Sequence, residues 1–128
     1  MRARTTKRRK LILPLLGSIV ALTIVVNAFL EWHYTTSVRH AREAVLRQDL
    51  HDLRRLISEY TLDNHRPPAS LQELVAARYL ASIPKDPFSG RDDTWVVEIS
   101  SNPKLPGVVD VHSGSHDISS NGDRYSAW

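Results

Sequence analysis

Twenty mostly apolar residues, Leu11 to Leu30, follow a basic leader, and no charge falls among them. A helix rises about 1.5 Å per residue, so a run of this length covers the roughly 30 Å hydrocarbon core of a bilayer. The leader, residues 1–10, carries Arg2, Arg4, Lys7, Arg8, Arg9 and Lys10 and no acid. Cations concentrate on the cytoplasmic side of a span. The pattern therefore predicts a transmembrane helix over 11–30, with residues 1–10 in the cytoplasm and residues 31–128 on the far side. A cleaved signal peptide is the competing reading. It calls for a shorter apolar region, about 7–15 residues, and small residues at the cleavage site. Here the run ends in Asn27-Ala28-Phe29-Leu30-Glu31-Trp32, without an A-x-A pattern. Trp32 and Tyr34 stand where an interfacial aromatic belt falls. These features favour the anchor.

The 98 residues from Glu31 to Trp128 suffice for one small domain and not for two. The whole chain carries +3; without the six leader cations the remainder carries −3. The basic balance is thus a property of the leader, and topology accounts for it. A nucleic-acid-binding domain would need a basic patch on its folded part, and this sequence offers none. There is no cysteine, which excludes a disulfide framework and a thiolate metal site.

From Trp32 to Leu62 there is neither Gly nor Pro. Leu46, Leu50, Leu53, Ile57 and Tyr60 recur at spacings of three and four, with Val38, Ala41 and Val45 extending the apolar face upstream. Arg42, Glu43, Arg47, Asp49, Arg54, Arg55 and Glu59 are assigned to the opposite, solvated face. This is the period of an amphipathic helix, and Glu43 with Arg47 makes an i,i+4 pair in the favourable order. Anchor and amphipathic segment together predict one helix of about 50 residues, roughly 75 Å long. The stripe suits packing on the chain's own domain; as a coiled-coil seam it offers only two clean heptads. Asp63-Asn64-His65-Arg66-Pro67-Pro68 stops the helix, with Asn as the left-handed cap and Pro67 excluding the helical region before it. Ser70-Leu71-Gln72-Glu73 reads as a capping box opening a short helix with Leu71, Leu74 and Val75 on its face. Pro84 to Gly90 is dense in turn residues. Beyond Asp93 the period changes to two, and Thr94–Ile99 and Gly107–His112 read as antiparallel neighbours. Ser113–Trp128 reads as an ordered loop or a short edge strand. The expected class is α+β: a long N-terminal helix packed on a small antiparallel sheet.

This order, and the residues within it, resemble the type IV pilin-like family. Leu53-Arg54-Arg55-Leu56-Ile57-Ser58-Glu59-Tyr60-Thr61-Leu62-Asp63-Asn64 is similar to the family's LR-x-x-I-x-x-Y-x-x-D-N helix end. Pro67 to Val75 is similar to its P-x-S-L-x-x-L stretch. Tyr79-Leu80, Ile83-Pro84-Lys85-Asp86-Pro87-Phe88 and Ser89-Gly90 resemble the YL-x-x-IP-x-DP-W/F-G segment of the G-type major pseudopilins of type II secretion. The likeness covers about residues 38–128. It implies a non-catalytic component of a type II secretion or type IV pilus-like machine in a bacterial inner membrane. Its partners would be other pilin-like subunits, further copies of itself, or assembly-platform proteins. The chain departs from the family at Arg9-Lys10-Leu11-Ile12-Leu13-Pro14-Leu15, which has neither the prepilin Gly before the cleaved bond nor the Glu five residues into the helix. That departure implies an accessory or initiating component, or an uncleaved membrane-tethered binding or sensor module that never enters a filament.

Asp117-Ile118-Ser119-Ser120-Asn121-Gly122-Asp123 places oxygen side chains at its first, third and fifth positions and Gly at its sixth. A calcium loop begins this way, but the twelfth position is Trp128 and not the Glu an EF-hand needs. A polar turn with Asp and Asn capping backbone amides is the plainer reading. The pilin-like resemblance implies calcium, with Ser113, Asp117 and Asp123 near the family's ligand places. His112 and His116 have the spacing of a helical zinc pair, but Gly114 lies between them and no third ligand is evident in the sequence. Ser115-His116-Asp117 spells triad residues, yet neighbours in sequence do not converge as a triad must. Lys85 and Asp86 between prolines suit a turn. Nothing in the sequence supports an enzyme.

Overall fold

The computed structural model describes the backbone from Ala3 and the side chains from Pro14 to Trp128. The basic leader, and the orientation inferred from it, lies outside the described side chains, as do Leu11, Ile12 and Leu13. The chain is α+β: helices α1 (Ala3–Asn64) and α2 (Leu71–Ala76), strands β1 (Val96–Ile99) and β2 (Val108–His112), and a closing 3₁₀ turn at Tyr125–Ala127. It divides into two compact units after Val38, a little beyond the anchor end expected at Leu30.

In the first unit every residue from Pro14 to Ser37 is exposed. Here α1 is apolar on all sides, and it is long and apolar enough to cross a membrane. The polar side chains in the run turn back on their own helix. Ser18 Oγ donates to the Pro14 carbonyl (2.9 Å), Thr23 Oγ1 to the Val20 carbonyl (2.8 Å) and Asn27 Nδ2 to the Thr23 carbonyl (2.7 Å). A donor in hydrocarbon finds no water, so this internal pairing is what an apolar surrounding requires.

The second unit, Arg39–Trp128, has one core. Leu46, Leu50, Leu53, Ile57 and Tyr60 are all buried, as their spacing predicts. Leu56 of α1, Leu71 and Leu74 of α2, Trp95, Val108 and Val111 of β2, and Tyr125 complete the core. Burying each Leu or Ile contributes about 1.5–3 kcal/mol against the entropy of ordering the chain. The upstream extension of the stripe is corrected: Ala41 is exposed and Val45 is 50 % exposed. The three-four spacing 60, 57, 53, 50, 46 steps next to 43, and it is Glu43 that is buried there.

α1 ends at Asn64, but the left-handed residue is His65 (φ 55°) and not Asn64. The Asn64 amide instead donates to the Tyr60 carbonyl at 3.0 Å. Ser70 takes the N-cap backbone position of α2 but makes no side-chain cap bond, so the expected capping box does not form. Glu73 reaches back one residue further and accepts the Ala69 N–H. The strands pair antiparallel, with Val97 opposite Val111, Glu98 opposite Asp110 and an irregularity between Glu98 and Ile99. Val108 and Val111 face the core, whereas all of β1 is exposed, so its alternation buries no face. β2 begins against the Pro67-Pro68 bend, where the Val108 N–H donates to the Pro68 carbonyl (2.7 Å). Gly107 (φ 151°) makes that approach: a Cβ there would lie 2.7 Å from Pro67 Cβ.

Candidate functional site

Glu43 is a tightly constrained polar group of the second unit. Its side chain is 1 % exposed and takes three donors from the C-terminal loop. Oε1 accepts the Ser120 N–H (2.7 Å) and the Tyr125 hydroxyl (2.9 Å), and Oε2 accepts the Ser120 hydroxyl (2.6 Å). His40 and Arg47, one turn to either side, lie 3.6 and 3.9 Å from Oε2. Burial works against the carboxylate, but the Ser120 and Tyr125 hydrogen bonds outweigh it and hold its carboxyl below the usual range. The counterpart is Tyr125, pushed up to about 12 by burial and by the Glu43 carboxylate it donates to. Phe88 stacks on the Tyr125 ring at 3.8 Å and Trp128 meets its edge at 5.2 Å. Glu43 therefore leaves the solvated face to which the sequence assigns it. A charged residue on a helix reads as solvated unless its partner is known, and here the partners lie 77 and 82 residues away.

The loop that Glu43 holds is a small hairpin. The Tyr125 N–H donates to the Asp117 carbonyl (3.1 Å), the Ser119 N–H to the Asp123 carbonyl (2.7 Å), and Gly122 closes the turn onto the Ser119 carbonyl (3.1 Å). Asp117 and Asp123 stand on its opposite sides with exposed side chains. Ser113 is fully buried instead. Its hydroxyl donates to Asp86 Oδ2 (2.5 Å) and accepts the Ser115 N–H (3.0 Å). Asp86, also fully buried, accepts the Phe88 and Ser89 N–H groups at Oδ1, so the proline-flanked segment is the turn expected of it. Among the described residues, neither Asp117 nor Asp123 belongs to a cluster of three or more ligating His, Asp or Glu groups. Ser115 accepts the Asp117 N–H through its hydroxyl, while His116 is exposed. Close packing continues at Gly114, where any side chain would strike the Thr94 carbonyl.

Two further polar nodes fasten the unit. Arg54, assigned to the solvated face, reaches across β2 instead. Its Nε donates to Asp110 Oδ1 (2.6 Å), and its Nη2 to the Val111 and Trp128 carbonyls (2.9 and 3.0 Å). Burial raises the Asp110 carboxyl, but Arg54 and the Val111 N–H bring it below its ordinary value. At the other end, Glu73 joins Arg66 Nη2 (2.6 Å), the Ala69 N–H (2.5 Å) and the Tyr60 hydroxyl (2.7 Å). Arg66 first, then the amide and the phenol, hold its carboxyl down at about 2. Asp49 runs the other way: burial, with Asp52 and Asp86 nearby, pushes its carboxyl up. Among the described residues no buried side-chain polar atom lacks a hydrogen-bond partner. Comparison with protein-family models, with curated proteins and with solved structures gives no match.

Proposed function

We propose that this protein is a non-catalytic, pilin-like subunit of a type II secretion or type IV pilus-like machine in a bacterial inner membrane. Its leader would be cytoplasmic and its α+β unit periplasmic. The observation that carries the proposal is α1. One helix supplies an apolar segment long enough to cross a membrane and, in its last turns, the spine of a small α+β unit. The order of long helix, short helix, antiparallel pair and closing loop supports the reading. So does the use of the buried polar groups Glu43, Asp86 and Ser113, which fasten loops onto the unit. Pull-down of the intact protein from membranes is expected to recover pilin-like subunits or assembly-platform proteins. Recovery of neither, where a known pseudopilin recovers both, sinks the proposal.

A membrane-fixed tether is the second reading, favoured by Arg9-Lys10-Leu11, which offers a prepilin peptidase no Gly. The mass of the mature protein separates the two. A full-length chain marks the tether, and a shortened chain with a methylated N-terminus marks assembly. The proposal includes one calcium ion at the C-terminal hairpin, on the exposed carboxylates of Asp117 and Asp123. Binding would raise stability by about 2.7 kcal/mol at a hundred times the dissociation constant. Equal melting temperatures in calcium and in chelator, unchanged in Asp117→Ala, would leave a hairpin fastened by Glu43 alone.

A further inference from the structure

Glu98, Asp110 and His112 meet on one face of the strand pair. Glu98 sits directly opposite Asp110, and His112 follows Asp110 by two residues and so points to the same side. One ligand atom from each lies within 4.8 Å of the others. Nε2 of His112 is 3.8 Å from Asp110 Oδ2 and 3.9 Å from Glu98 Oε2. Like charges directly opposite across two strands repel. Arg54 answers one of the two carboxylates, through Asp110 Oδ1, and leaves Oδ2 turned to the imidazole. Glu98 has no Arg or Lys partner among the described residues.

The ring is already set as a metal-bound ring is. Its Nδ1 lies 2.7 Å from the Trp128 carbonyl oxygen, an acceptor outside the cluster. That bond engages Nδ1 and turns Nε2 toward the two carboxylates. A histidine ligand fixed through its other nitrogen by a carbonyl is the usual outer arrangement of a metal site. An ion about 2.0–2.1 Å from each ligand in tetrahedral array holds neighbouring ligand atoms roughly 3.3–3.4 Å apart. Closing by about half an ångström suffices at the imidazole: the exposed Glu98 side chain can close its own gap, and Asp110, held by Arg54 at Oδ1, must bring Oδ2 in by a similar amount.

We propose that Glu98, Asp110 and His112 form a surface site for one divalent transition-metal ion of zinc type, bound by one nitrogen and two carboxylate oxygens with water completing the shell. The ligand set, one borderline nitrogen among oxygens, favours zinc over calcium. The site shares no ligand with the C-terminal hairpin, so the two proposals are tested separately. The test is calorimetric titration of the full chain in detergent micelles with Zn²⁺, after chelator treatment, with Co²⁺ as a spectroscopic probe. One equivalent of Zn²⁺ is expected to bind, and Co²⁺ to show visible ligand-field bands. His112→Ala and Glu98→Gln should each weaken binding by roughly tenfold or more, and Asp117→Ala should leave it unchanged. Glu98→Gln alters an exposed side chain outside the core, so its effect reads the site and not the fold. Absence of binding, or equal affinity in Glu98→Gln and the parent chain, would reduce the group to an ion pair of His112 with its carboxylate neighbours.

Discussion

At the scale of single residues, Glu43 decides more than any leucine beside it. A hydrophobic stripe is tolerant, since one large apolar side chain replaces another at modest cost. A buried carboxylate with three donors is not, because removing it strands every donor it served. Glu43→Ala is expected to cost about 2–4 kcal/mol. For a unit of this size that lowers the melting temperature on the order of 10–20 °C. Glu43→Gln keeps an acceptor for Ser120 and Tyr125 and should cost clearly less. In a double-mutant cycle, Glu43→Ala with Tyr125→Phe should fall short of the sum of the two. Strict additivity would mean that the 2.9 Å bond carries no coupling. Asp49→Asn, in contrast, should stabilise near neutral pH, because burial, Asp52 and Asp86 disfavour the charge it removes. The gain should shrink in acid, as the native carboxyl takes up its own proton.

Among the elements, the joint between α1 and α2 carries the clearest pH dependence. Glu73 sits at about 2 in the folded unit and near the ordinary value, about 4.3, in the unfolded chain. The unfolded chain therefore binds the proton first as pH falls. The stabilisation from Arg66, Ala69 and Tyr60 is complete above about pH 5 and drains away toward pH 2. Melting curves of the parent and Glu73→Gln should converge over that window. Parallel curves would refute the assignment. The elements themselves were legible in the sequence. Leu46 to Tyr60 gave the packed face, Pro67-Pro68 the stop, and the change to period two the strand pair, because each is a local pattern with a local cause. What joins the elements was not legible. Arg54 and Asp110 are 56 residues apart, and nothing in either neighbourhood announces the other. Only Glu43 left a trace, as a charge sitting on the next step of the apolar spacing. In the sequence Ser113 stood out only as a calcium ligand place implied by the resemblance, and its buried partner Asp86, 27 residues upstream, was not legible.

For the whole molecule, the first question is what covers the apolar part of α1. Leu22 and its neighbours are exposed, and no element among the described residues packs on them. If lipid covers them, a charge at Leu22 costs about 2.5–3.5 kcal/mol of insertion free energy. Leu22→Lys should therefore shift a measurable share of the protein from the membrane pellet to the supernatant on alkaline extraction, and Leu22→Ala should not. Identical partition of the two would argue against a span. The same comparison leaves the second unit untouched, so its melting temperature should stay fixed in both variants.

The Glu43 contact also sets a timetable. The residue leaves the ribosome 77 residues ahead of Ser120, an interval of roughly 4–15 s at about 5–20 residues per second. Throughout it α1 can wind, since its contacts are local, but the carboxylate stands in water and Leu46, Leu50 and Leu53 lack their cover. The stretch that closes the unit is synthesised well after the helix it covers. Maturation of the unit thus waits on that stretch: a chain halted before Ser119 would be helical, yet open.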